Sequence, residues 1–160
     1  MPDAALRLSQ ESAGPIRLLA PSTGEQHTTG THGEMWQWVG DGGDLISLIV
    51  AVRRTRLGTS SGVRQHLTWE FDRLQRTFDP DIAASRQGPE FRPIRGATAV
   101  AIGTLTGVRS GIRIHNSVVV TTDRTWMHVI HIMTPDTNRG RSFATTVGDS
   151  VEVSDWEGRS

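Results

Sequence analysis

Residues Gly111 to Pro135 read GIRIHNSVVVTTDRTWMHVIHIMTP. Two runs rich in β-branched and aromatic residues, Ile112–Thr121 and Trp126–Met133, flank the polar tetrapeptide Thr122-Asp123-Arg124-Thr125. Strand-length apolar runs around a short polar connection are the signature of a β-hairpin. The stretch also carries three of the six histidines, so any chemistry in the chain has to pass through it.

A symmetric turn over Thr122–Thr125 predicts that residues whose numbers sum to 247 lie opposite one another. Val119 then faces His128, His115 faces Ile132, and Asn116 faces His131. Side chains alternate between faces with period 2, so His115 and His128 share one face while Asn116 and His131 share the other. The partner of His128 is four residues from His115, roughly 13 Å along the strand, too far for two ligands of one metal. Asn116 and His131 sit among Ile112, Ile114, Val118, Val120, Met127, Val129 and Met133. In such company a polar pair hydrogen-bonds internally, because a buried unpaired polar group costs about 1–3 kcal/mol. The pair is either a satisfied core contact or the lining of a ligand pocket.

The rest of the chain lays elements against this ribbon. Residues 1–14 are polar and aperiodic and read as a flexible arm. Pro15–Pro21 is a proline-bracketed strand, Ser22–Gly33 a loop, and Glu34–Val39 a strand alternating around Trp36 and Trp38. Asp41–Asp44 is a tight turn. LISLIVAV at Leu45–Val52 is nearly unbroken in apolarity and predicts a central strand covered on both faces. In Ser60–Phe78, residues Val63, Leu67, Phe71, Leu74 and Phe78 form one helical stripe, with Thr59, Ser60 and Ser61 as N-cap candidates and Pro80 as the stop. Asp81–Gln87 is a turn or the start of a strand, and Phe91–Ile94 is extended. Ala97–Thr106 is a strand, joined to the ribbon by a loop over Gly107–Gly111. A second helix begins at Pro135-Asp136, capped by Asp136, with Phe143, Ala144 and Val147 inward. Val151–Val153 is a last strand, and residues 157–160 are a polar tail.

Strands joined by short turns pair antiparallel, and two helices separated by a meander cover opposite faces of one sheet. The expected class is α+β, an antiparallel sheet with a helix layer on each side, in one domain over residues 15–156.

Composition excludes several functions. The 160 residues hold 17 basic and 17 acidic side chains, so no net field favours nucleic acid or an anionic membrane. All 17 basic residues are arginine, and lysine, tyrosine and cysteine are absent, a bias that suggests a GC-rich, for instance actinobacterial, genome. Without cysteine there is no disulfide, thiol nucleophile or thiolate metal site. No apolar run approaches the roughly 20 residues needed to span a bilayer, and the N-terminal sequence lacks a signal core. A soluble, cytoplasmic protein is expected.

Order and landmarks together resemble the PsbP-like domains of photosystem II extrinsic proteins and the Ran-binding import factors of the same fold. The nearer likeness is to small actinobacterial LpqN-type lipoproteins. It rests on LISLIVAV, the Leu67/Phe71/Leu74/Phe78 stripe, Arg95-Gly96-Ala97, the paired strands Ile112–Val120 and Trp126–Ile132, Thr134-Pro135-Asp136 and Asp149-Ser150-Val151. The resemblance implies a non-catalytic adaptor or binding role, often in the cell envelope, so export is an alternative. It supplies no catalytic residues. The chain departs from the lipoproteins in lacking a lipidated cysteine.

Other constellations are weaker. Gly58-Thr59-Ser60-Ser61-Gly62 has the form of a nucleophile elbow, but Arg53–Leu57 separates it from the preceding strand, so a capped helix start is preferred. No lysine follows its last glycine, which rules out a phosphate-binding P-loop. His27 and His32, near Glu25 and Glu34, read as loop residues rather than a metal site. Arg53, Arg54 and Arg56 after the central strand, with Trp69 or Trp126 and with Arg139 and Arg141, have the composition of an interaction surface. The expected function is therefore a non-enzymatic module binding a protein partner, as monomer or homodimer, without metal or cofactor. The alternative is a small-molecule binder or minor enzyme with a pocket near Asn116, His131 and Trp126.

Overall fold

The computed structural model describes residues 6–22, 25–28, 33–40, 47–56, 62–123 and 125–154. In chain order they form β1 (Leu8–Ala13), β2 (Ile16–Pro21), β3 (Glu25–Thr28), β4 (Gly33–Val39), β5 (Ser47–Arg56) and α1 (Val63–Gln75). There follow β6 (Ser85–Glu90), β7 (Ala99–Arg109), β8 (Ile112–Thr122), β9 (Trp126–Pro135), α2 (Asn138–Asp149) and β10 (Glu152–Val153). Seven strands pair in the order β3-β4-β5-β9-β8-β7-β6, and β1-β2-β10 form a small second sheet. Every pairing is antiparallel. The class is mixed α+β, built on antiparallel sheets with two helices.

The ribbon β8–β9 occupies the middle of the large sheet, but its register differs from the symmetric expectation by two residues. Asn116 lies opposite Met133, Val118 opposite His131, His115 opposite Thr134 and Thr121 opposite His128. Asp123 is the cause. Its Oδ1 accepts the backbone N–H of Thr125 at 2.7 Å and of Trp126 at 2.8 Å, and its own N–H donates to the Trp126 carbonyl at 3.0 Å. This Asx-type turn moves the last strand pair to Thr122 and Met127. A slip of two leaves every side chain on its expected face. The β7–β8 hairpin is tighter than the expected loop over Gly107–Gly111. Ser110 (φ 52°) and Gly111 (φ 78°) form a two-residue turn with positive φ at both positions, the type I′ geometry that matches strand twist.

Two buried clusters draw on alternate residues of the same strands. One gathers Leu67, Phe71, Leu74 and Phe78, the expected α1 stripe, with Leu105, Val118, Val120, Met127 and Val129. The other gathers Ala144 and Val147 of α2 with Ile16 and Leu18 of β2, Trp36, Leu48, Val50, Val119, Ile130 and Ile132. Burying each such Leu, Ile or Phe contributes about 1.5–3 kcal/mol. Glycines set how closely α1 approaches. A Cβ on Gly107 would sit 2.3 Å from the Phe78 ring, and one on Gly103 would sit 2.8 Å from the Phe71 ring. The two rings therefore rest directly on the β7 backbone.

Several expectations need correction. Leu8–Ala13, assigned to a flexible arm, is strand β1, paired with β2 along its whole length. Its polar residues gave no alternation, and backbone pairing with β2 orders it instead. Within the expected loop Ser22–Gly33, Glu25–Thr28 is strand β3, with His27 opposite Met35. In β5, Leu48, Val50 and Val52 are buried while Ser47, Ile49 and Ala51 are only partly so. The strand is not equally covered on both faces, because α1 packs on β6, β7 and β8 instead. α2 is capped by Thr137, whose Oγ1 accepts the Gly140 N–H at 3.0 Å, and not by Asp136. Asp41–Asp44, Leu45-Ile46 and the cap candidates Thr59, Ser60 and Ser61 lie outside the described residues, as do residues 157–160.

Candidate functional site

α1 carries the stripe on one face and, unexpectedly, a buried carboxylate beside it. Glu70 is 5% exposed. Arg53, reaching across from β5, and Arg73, one helical turn on, both donate to it, Arg73 at 2.9 Å. Burial alone would raise the Glu70 carboxyl, but the Arg73 and Arg53 guanidiniums outweigh it and hold Glu70 below its ordinary value. Arg53 is thus fixed to the helix by an ion pair that ties α1 to the C-terminal end of β5. Trp69 stands next to Glu70 on the outer side of α1, 49% exposed, with the His66 ring edge-on at 5.7 Å between centroids. Burial first, then Arg53, lowers His66, against the pull of Glu70.

Asn116 and His131 meet despite the altered register, as diagonal neighbours rather than directly opposed residues. Asn116 Nδ2 donates to the Leu105 carbonyl at 3.2 Å, which leaves Oδ1 to accept from His131 Nε2 at 2.6 Å. The proton of the neutral imidazole is therefore on Nε2, and Nδ1 carries the lone pair. Burial lowers the His131 pKa from 6.5 to about 4. Arg73, Arg53 and Arg109 act in the same direction, and Glu70 opposes them. The imidazole is uncharged at neutral pH.

The other candidates fall apart spatially. Arg54 and Arg56 alternate with Arg53 along β5 and so project from the opposite face. There they stack on Trp126, with guanidinium carbons 4.8 and 5.3 Å from the ring centroid. Trp126 consequently lies away from Asn116 and His131. Arg139 stacks on Phe143, and Arg141 binds Asp136 at 2.5 Å and Asn138 at 2.6 Å. His128 is 1% exposed and bonded to Asp123 Oδ2 at 3.1 Å. Burial lowers His128 in spite of Asp123. Asp123, raised by burial, is brought below its ordinary value by the Thr125 and Trp126 N–H groups and by His128. This dyad is a structural clasp for the turn and offers no access to a substrate. His115 lies six strand positions from Thr121, the partner of His128, so the two histidines are about 20 Å apart. Among the described residues no three His, Asp or Glu side chains converge on a metal position. Gly58–Ser61 of the elbow-like motif and His32 lie outside the described residues.

Sequence reasoning missed two features. One is Glu70, whose burial depends on an arginine from a distant strand. The other is a cavity of about 240 Å³ at the end of the β7–β8 hairpin, lined by Ser47, Arg109, Ile112, Ile114, Met133 and Pro135 among others. Met133 is the cross-strand partner of Asn116, so the cavity lies one step along the ribbon from the Asn116–His131 pair. The available signal was Arg109 ending a strand otherwise apolar on that face.

No family model and no curated protein matches the chain. Among solved structures, cyanobacterial PsbP (CyanoP) from Synechocystis is similar with a TM-score of 0.58 at 15% identity, over 94% of each chain. A Pseudomonas aeruginosa protein of unknown function, for which a regulatory role has been suggested, is similar with a TM-score of 0.54 at 9% identity, over 87% of this chain and 90% of that one. At these identities the likeness shows the fold, which is PsbP-like. Among the described residues no helix is long and apolar enough to cross a membrane.

Proposed function

We propose that this chain is a non-catalytic accessory module that binds a protein partner through the outer surface of α1 around Trp69. The observation that carries this reading is Trp69 itself: a large aromatic side chain half exposed on a rigid helix, next in sequence to Glu70, which fixes the Arg53 and Arg73 guanidiniums. Tryptophan and arginine are the residue types that dominate interface energetics, and a pre-ordered pair loses little entropy on binding. The ionisable groups that resemble catalytic machinery, Asp123 and His128, are sealed inside the fold. That favours an interaction role over chemistry at the ribbon.

The reading includes an α/β/α arrangement, with α1 on one face of the large sheet and α2 with the small sheet on the other. The alternation of β8 and β9 between the two clusters supports it. Kinship with LpqN-type proteins, a monomeric or homodimeric state and a cytoplasmic or exported location remain parts of the proposal that rest on sequence landmarks.

Affinity capture from the source organism, run with wild type and with Trp69→Ala, tests the reading. A protein retained by wild type and lost with Trp69→Ala supports it; equal retention by both contradicts it.

A further inference from the structure

We propose that the cavity at the β7–β8 hairpin binds a small monocarboxylate with an apolar body, its carboxylate held by Arg109. The walls supply the apolar part: Ile114 is buried, Met133 and Pro135 are partly buried, and Ile112 forms a lip that is 47% exposed. Arg109 supplies the charge. It is only partly exposed, yet no carboxylate lies within 4 Å of it among the described residues. Its guanidinium instead rests on the Met133 thioether, with Nη2 3.6 Å from Sδ, a weak acceptor for a strong donor. Asp79, the nearby acid, accepts the Ser110 backbone N–H at 3.3 Å.

A guanidinium that meets no acid among the described residues, at the mouth of an apolar cavity, selects an anion that brings its own hydrocarbon. The planar fork matches a carboxylate through two parallel hydrogen bonds. An ammonium ligand is repelled, and a phosphate finds no second cation among the described lining residues. Ser47, which carries a hydroxyl able to donate or accept, also lines the cavity. Size sets the body. A dry cavity of about 150 Å³ accepts benzene, so 240 Å³ accommodates roughly ten heavy atoms. Octanoate, with about that size, is the fitting probe.

The test follows the methyl resonances of Ile112, Ile114 and Met133 during titration of the full chain with octanoate, 1-octanol or octylammonium. The expected result is saturable shifts at these methyls with octanoate, at least about tenfold tighter than with either of the other two. Arg109→Ala should abolish that preference while leaving octanol binding unchanged. Arg109→Lys should keep part of it, and it carries the test should the alanine variant fail to fold. No shifts with octanoate, or equal binding of octanoate and octanol to wild type, would overturn the proposal. Either result leaves the Trp69 surface untouched, because that surface lies on the outer side of α1 and not in the cavity.

Discussion

His131 donates its Nε2 proton to Asn116 Oδ1 at 2.6 Å, and Asn116 passes the polarity on to the Leu105 carbonyl at 3.2 Å. This chain of two bonds ties β9 to β8 and β8 to β7 inside an otherwise apolar layer. Asn116→Ala removes the acceptor for a largely buried N–H, and about 1–3 kcal/mol of stability should be lost in urea unfolding. Replacing both residues by leucine should cost less than Asn116→Ala alone, since the His131 N–H is then no longer left buried without an acceptor.

The same histidine makes stability depend on pH. Its pKa is near 4 in the fold against 6.5 when solvated, so the unfolded chain binds more protons between those values. Stability is complete above about pH 6.5, falls as the pH drops toward 4, and the contribution is lost below that. The loss attached to His131 is on the order of 3 kcal/mol. His66, His115 and His128 are lowered as well and act in the same sense. His131→Gln keeps an N–H donor but does not titrate. Its urea midpoint should fall less steeply between pH 6.5 and 4.5 than that of wild type.

Gly107 and Gly103 are predicted to tolerate no side chain. Gly107→Ala drives a methyl into the Phe78 ring and should cost about 1–3 kcal/mol by overpacking. Thermal melts of Gly107→Ala with and without Phe78→Leu check the mechanism. If the ring is the obstacle, the smaller side chain should recover part of the loss.

Asp123→Ala should destabilise the protein by about 2–3 kcal/mol, because two backbone N–H groups lose their carboxylate acceptor and His128 is left buried without its partner. Asp123→Asn, which retains an acceptor for the turn, should be milder. Urea titrations of the two variants at neutral pH order them.

What the sequence discloses and what it hides divide along local and non-local physics. The α1 stripe was legible because helical periodicity is local, and so was the ribbon, because strand-length runs flank a polar turn. The register was not, since it depends on one Asp123 side chain capping the turn. The Asn116–His131 contact survived that error only because a slip of two preserves faces. Strand β1 was hidden because Leu8–Ala13 is ordered by pairing with β2 and carries no alternation of its own. The site residues fared less well. Arg53, Arg54 and Arg56 are neighbours in sequence, but strand geometry sends Arg53 to α1 and the other two to Trp126. Arg109 was passed over because its setting is a cavity assembled from β5, β8 and β9, which no spacing announces.

Trp69 separates a role in folding from a role in binding. Half exposed on α1, it should tolerate Trp69→Ala with a loss of about 1 kcal/mol or less, while a partner-binding surface centred on it would be lost. The most direct measurement places a photo-crosslinking residue at Gln65, one turn before Trp69 on α1, with a control at Thr145 on the exposed side of α2. Crosslinking to one protein partner from position 65 alone, abolished by Trp69→Ala, is the predicted result. Crosslinks of equal yield from both positions, or from position 65 with and without Trp69, would contradict the account.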